Sequence, residues 1–173
     1  MEQSEYISQF NPTSVNTIRL SIYKSVKTDD CHMTGAIMRI GGKGNIMDNA
    51  HAGGSYVGIK QDGTLCNKVF NQYGESCTEF NGIDFTQHYC IPNWENVVKF
   101  GKSIGKYYPH CRLLALDIVL DKRNEPKLIE VNVKHYSPWL FQYTQDAAFG
   151  DWTDEILDYC RTHINQLENV LYL

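Results

Sequence analysis

No apolar run in this sequence approaches the roughly 18 residues that a membrane-crossing helix needs. The first ten residues, MEQSEYISQF, have neither a basic cluster nor an apolar stretch and do not read as a secretory leader. Basic residues are also scarce: 16 lysines and arginines stand against 20 acids, for a net charge of −4. A general nucleic-acid binder would carry a basic surface instead. Zinc spacings are missing as well. Cys31, Cys66, Cys77, Cys90, Cys111 and Cys160 are widely scattered with no CxxC pair, and no two of the six histidines stand at i, i+4. These cysteines read as reduced, mostly buried thiols of a cytoplasmic protein. There is no internal repeat and no low-complexity stretch. The expectation is a cytoplasmic chain with neither nucleic acid nor membrane among its partners.

What is present suits one globular domain. A chain of 173 residues with 42% hydrophobic and 21% charged residues can bury a core of its own. The polar residues 1–10 predict a flexible N-terminus. In 17-TIRLSIYK-24, Ile18, Leu20 and Ile22 alternate with Arg19, Ser21 and Tyr23, which predicts a half-buried strand. A short strand, 35-GAIMRI-40, runs into the glycine-rich 41-GGKGNIMDNAHAGG-54, where the backbone can turn tightly. Strands at 55–60 and 64–70 form a hairpin around 61-QDG-63, and residues 71–91 read as irregular. A helix is predicted over 94–107 with Asn93 as its cap and Val97, Val98 and Ile104 on its apolar face. Strands 113–120 and 127–133 form a second hairpin, a loop passes through Ser137 and Pro138, and a last helix covers 151–167. Trp152, Ile156, Cys160 and Ile164 stack at helical spacing in it as packing residues. Hairpins mixed with helices predict an α+β fold with a mainly antiparallel sheet.

One stretch resists a purely structural reading. In 128-LIEVNV-133, strand alternation puts Leu128, Glu130 and Asn132 on one face of what reads as a buried strand. An ionised glutamate there costs several kcal/mol unless it is paired. The preceding strand, 113-LLALDIVL-120, carries one acid of its own. With 121-DKRNEP-126 as the loop, Leu120 pairs with Lys127 and Asp117 falls opposite Glu130. Opposed side chains on one face have Cβ atoms about 4.5–5.5 Å apart. Two carboxylates that close need a proton or a cation between them. Asn132 adds a neutral oxygen on the same face, and an all-oxygen set suits Mg²⁺. Two alternatives stand beside this. A one-residue slip would send the acids to opposite faces, or a distant arginine such as Arg39 pairs with them.

An Asp followed thirteen residues later by E-x-N, here Asp117 and 130-EVN-132, resembles the metal-binding signature of ATP-grasp enzymes. The segments 11-NPTSVNTIRL-20, 37-IMRIGGKGNIMDNAHAGG-54, Gly63, 91-IPNW-94 and 127-KLIEVNV-133 occur in this order in the branch associated with sugar transfer and polysaccharide biosynthesis. The resemblance covers roughly residues 11–145. It implies the C-terminal lobe of an ATP-grasp fold over residues 11–173, and an activity in which ATP phosphorylates a carboxylate and a nucleophile attacks the acyl phosphate. It implies ATP and Mg²⁺ as cofactors, with Asp117, Glu130 and Asn132 holding the metal. Arg39, Asn49, Gly53 and Gly54 would lie at the nucleotide phosphates, and Arg19 would be a further anion contact. His51, His135, Ser137 and Gln142 would face an unknown small-molecule carboxylate or acceptor.

The resemblance also implies a preceding lid lobe, with an ATP-clamping lysine and the adenine hinge, and only about ten residues stand before the matching segments. The expectation is that a second chain or lobe completes the site. Lys24, Lys27 and Lys43 do not stand in the clamp's context. Two functions compete. One is an ATP- and Mg²⁺-dependent ligase-type catalytic half acting in polysaccharide biosynthesis. The other is a non-catalytic nucleotide-binding or regulatory remnant. A metal-dependent hydrolase on another fold is a weaker third, because no histidine cluster supports it.

Overall fold

The computed structural model describes residues 2–42, 53–134, 136–145 and 147–164. Short helix α1 (Glu5–Ser8) precedes strands β1 (Thr17–Lys24), β2 (Cys31–Ile40), β3 (Ser55–Ile59) and β4 (Leu65–Phe70). Three two-residue strands follow, β5 (Ser76–Cys77), β6 (Glu79–Phe80) and β7 (Ile83–Asp84), then helix α2 (Trp94–Lys106). The hairpin β8 (Leu113–Leu120) and β9 (Pro126–Asn132) leads to α3 (Pro138–Thr144), a 3-10 turn and α4 (Thr153–Thr162). Seven strands form one sheet in the order β5-β4-β3-β2-β1-β8-β9, and every pairing is antiparallel. The fold is therefore α+β, a large antiparallel sheet packed with helices.

The alternation in β1, β2 and β8 gives the sheet two different faces. Leu20, Ile22, Met38, Leu114, Leu116 and Ile118 point to one side, where Val97 and Trp94 of α2 and Phe10 and Phe85 close over them. Each aliphatic side chain buried so completely contributes about 1.5–3 kcal/mol. A Cβ added at Gly101 would collide with Leu20 Cδ2, so glycine there lets α2 lie this close to the sheet. On the other side Ile37 and Tyr56 meet Leu140 and Phe141 of α3. Arg19, Arg39 and Asp117 share this second face.

Several elements depart from the sequence reading. Residues 5–10 are docked: Ser4 caps α1, and Ile7 and Phe10 are each 1% exposed. The strand expected from Gly35 begins at Cys31, because β1 and β2 continue pairing to Lys24 opposite Cys31. The strand read as half-buried, β1, lies in the middle of the sheet and is covered on both faces. Asn93 makes no side-chain cap to α2; its Nδ2 donates instead to the Asn124 carbonyl at 3.0 Å. Pro138, read as part of a loop, opens α3, a first-turn position where its missing N–H costs nothing.

The last helix buries no residue, Cys160 is exposed, and Ile164 is 61% exposed. Its anchor is Glu155, whose carboxylate accepts from Ser25 Oγ at 2.7 Å, Tyr23 Oη at 3.0 Å and Val26 N–H at 3.1 Å. Burial pushes the Glu155 pKa up, but the Ser25, Tyr23 and Val26 hydrogen bonds and Lys27 reverse this and leave it below the usual value. Burial and the Glu155 contact push the Tyr23 phenol up to about 12. A lowered folded pKa gives stability that is present above the unfolded glutamate value, about 4.3, and is lost as pH falls through the folded one. Acidification below about pH 4 is thus expected to release α4 and the adjoining Trp152, which stacks on His32 at 4.0 Å. Trp fluorescence followed from pH 6 to pH 3 should show that step, and Glu155→Gln should remove it.

Candidate functional site

Sheet register assembles the site. Arg19 of β1 lies directly opposite Asp117 of β8, and Asp117 lies opposite Glu130 of β9. One rung along, Ser21 and Ala115 are opposed, and Ala115 faces Asn132. In the other direction, Arg39 of β2 is opposed by Thr17 and Tyr56. The expected opposition of Asp117 and Glu130 is therefore observed, but it arises differently from the expected count. Leu120 pairs with Pro126 rather than Lys127, and Ile129 is an extra, unopposed residue that restores the register. The bulge also puts Leu128 on the face of Ile118, not on that of Glu130.

Asp117 is 3% exposed and is the centre of an ion triad. Arg19 Nε donates to its Oδ1 and Arg19 Nη2 to its Oδ2, both at 2.7 Å, a bidentate fork. Arg39 Nη1 donates to the same Oδ2 at 3.3 Å. The arginine side chains retain 11% and 18% of their exposure. The alternative reading, in which an arginine pairs with the acids, thus holds for Asp117, and with two arginines instead of one. Glu130 differs. The strand read as buried, β9, is the sheet's edge, and Glu130 is exposed with no hydrogen bond or ion pair to the described residues.

The other predicted residues are placed unevenly. Asn132 is half-buried, and its Nδ2 is buried without a hydrogen-bond partner among the described residues. Gly53, with φ of +80°, and Gly54 lie where the chain enters β3 beside the Arg39 rung, lining a cavity of about 450 Å³ with Ser55, Asn71, Tyr73 and Glu75. Ser137 precedes α3 in a left-handed conformation. Gln142 Oε1 accepts from the Ala148 N–H at 3.3 Å, which ties it to the loop after α3. Asn49, His51 and His135 lie outside the described residues, as does Lys43.

Sequence reasoning missed two tyrosines on this face. Tyr136 and Thr34 both hydrogen-bond Ser21 Oγ, which fixes the chain over the Asn132 rung. Tyr56, opposite Arg39, has a buried hydroxyl with no hydrogen-bond partner among the described residues, and burial holds its phenol well above the usual range. Its place in 55-SYVGI-59, opposite the arginine-bearing strand, was the only available signal. No group of three His, Cys, Asp or Glu among the described residues forms a metal cluster. A magnesium site here would therefore need amide and phosphate oxygens besides carboxylates. Two groups on this face bear on such a site: the Glu130 carboxylate has no side-chain partner among the described residues, and Asn132 Nδ2, a donor and no metal ligand itself, lacks the acceptor that a phosphate oxygen would supply.

No helix among the described residues is long and apolar enough to cross a membrane. All six cysteines are free, but the expectation of mostly buried thiols fails: only Cys31 is buried, and Cys77, Cys90 and Cys160 are exposed. No curated protein and no solved structure matches the chain. Residues 1–156 match the family model described as sugar-transfer associated ATP-grasp, beginning ahead of the segments that carried the resemblance and extending beyond them. The chain belongs to the sugar-transfer associated ATP-grasp family, with its nucleotide-binding, ligase-like fold.

Proposed function

We propose that this chain binds ATP with Mg²⁺ on the arginine-bearing face and activates a carboxylate as an acyl phosphate for attack by an amine or another nucleophile. The setting is polysaccharide biosynthesis. The observation that carries the reading is the single face on which Arg19, Arg39, Asp117, Glu130 and Asn132 converge, in a chain of this family. Phosphoryl transfer asks a protein for positioning and charge neutralisation more than for a nucleophilic side chain, and two arginines with two carboxylates supply both. Glu130 and Asn132 would hold Mg²⁺ together with phosphate oxygens, and Asp117 would join them once its arginines turn to the phosphates. The bound metal would neutralise charge on the transferred phosphoryl group.

The arginines would grip the nucleotide phosphates as planar forks. Gly53, with its positive φ, would let backbone N–H groups approach the same anion. Glu130 and Ile129, 56% exposed, lie open at the sheet edge. A second lobe or chain closing there would exclude water during transfer. Free thiols suit the reducing cytoplasm in which we place the reaction.

The test is calorimetric titration of the chain with a non-hydrolysable ATP analogue, with and without Mg²⁺. Mg²⁺-dependent binding is expected. No binding at millimolar analogue would sink the nucleotide site. Binding without turnover of ATP in the presence of candidate acceptors would favour a nucleotide-binding regulator over a ligase.

A further inference from the structure

We propose that the Arg19–Asp117–Arg39 triad is a latch that admits a divalent cation and a polyphosphate only together. The inference rests on the nucleotide reading above and adds to it a role for the arginine–carboxylate pairs in excluding either component alone.

The argument begins with the carboxylate. Asp117 is the most buried acid on this face, and both its oxygens are occupied by guanidinium N–H groups. A cation approaching alone meets two positive groups on the very carboxylate it would need, and like charge at such range disfavours it strongly. A polyphosphate approaching alone meets arginines whose charge is already matched, with Glu130 next along the rung. Arg19, Arg39, Asp117 and Glu130 carry formal charges that sum to zero, so these four together offer neither component a net opposite charge. Pulling one member out of a buried ion triad leaves an uncompensated charge.

A metal–polyphosphate pair removes this difficulty. Phosphate oxygens replace the Asp117 oxygens as acceptors for the guanidinium forks, and the Asp117 oxygens they release face the metal. The number of charge-assisted contacts is conserved through the exchange. The orphaned Nδ2 of Asn132, one rung from Asp117, gains an acceptor at the same moment. Arg39 makes one bond of 3.3 Å to Asp117, against two of 2.7 Å from Arg19.

The test measures binding of Mn²⁺ alone to the 173-residue chain by electron paramagnetic resonance, in the wild type and in Arg39→Gln. Arg39→Gln leaves the Arg19 fork in place, and a cooperative urea transition would confirm that it folds. Arg39→Gln is expected to bind Mn²⁺ alone about tenfold more tightly than the wild type, the size of effect that one neighbouring charge exerts on a carboxylate. Equal Mn²⁺ affinities overturn the latch. A second measurement needs no variant: the non-hydrolysable ATP analogue and Mn²⁺ should each raise the wild type's affinity for the other about tenfold or more. Analogue binding that is indifferent to Mn²⁺ also overturns it. Absence of analogue binding under every condition refutes the nucleotide reading and the joint admission built on it, while the Mn²⁺-only comparison still decides whether Arg39 holds a lone cation out.

Discussion

Asp117→Asn is expected to lower the stability of the folded chain by about 3–5 kcal/mol, the range seen when one partner is removed from a buried ion pair. Two guanidiniums with 11% and 18% of their side-chain exposure would keep their charge and lose the carboxylate between them. The amide that replaces it has one acceptor oxygen for three N–H groups and carries no charge. The position makes escape difficult, because β8 lies between β1 and β9 and Asp117 is 3% exposed. Urea unfolding followed by circular dichroism measures the loss. In a double-mutant cycle, Arg39→Gln combined with Asp117→Asn should cost less than the sum of the two single changes, since Arg39→Gln removes a charge whose carboxylate partner Asp117→Asn has taken away. A loss below about 1 kcal/mol for Asp117→Asn would mean that the triad behaves as a solvent-exposed pair.

This triad was half legible in the sequence. Arg39 could be named as a partner for a buried acid, and Arg19 could be named as a contact for an anion. Their joint hold on Asp117 depends on β1 lying between β2 and β8, a long-range strand order that no local pattern encodes. The opposition of Asp117 and Glu130 was legible because a lone acid in each of two consecutive apolar strands is unusual. Yet it came from a loop counted one residue too long, offset by the bulge at Ile129, which nothing in 126-PKLIEVN-132 announces.

The edge position of β9 was hidden for a related reason. Leu128, Ile129 and Val133 read as core, but they are 37%, 56% and 46% exposed, because an apolar strand looks the same whether or not another strand follows it in the sheet. Ile7 and Phe10 were masked by polar neighbours, and α3 by a proline that punctuates a loop as readily as it opens a helix. The sheet, its antiparallel class and the family were readable because alternation, turn residues and ordered motifs are local. Faces, edges and ion pairs were not, because they are properties of strand order.

Glu130→Gln should separate binding from folding in the way Asp117→Asn does not. Glu130 is exposed, on an edge strand, and carries no ion pair or hydrogen bond to the described residues. Exposed substitutions of that kind shift stability by less than about 0.5 kcal/mol, so the urea midpoint should stay put. Its proposed role, however, is to hold Mg²⁺ directly. Outer-shell changes at metal sites already cost about 10–100-fold in metal affinity, so loss of a ligating carboxylate should cost about 100-fold or more.

The variant is therefore expected to keep its fold and lose the Mg²⁺-dependent binding of the analogue. The contrast with Arg39→Gln is diagnostic. That change should weaken the grip on phosphate while easing metal entry, whereas Glu130→Gln should weaken metal binding with or without nucleotide. If Glu130→Gln binds the Mg²⁺ complex as the wild type does, then Glu130 is a bystander at the sheet edge, and the metal, if it comes, must be held from the Asp117 side of the rung.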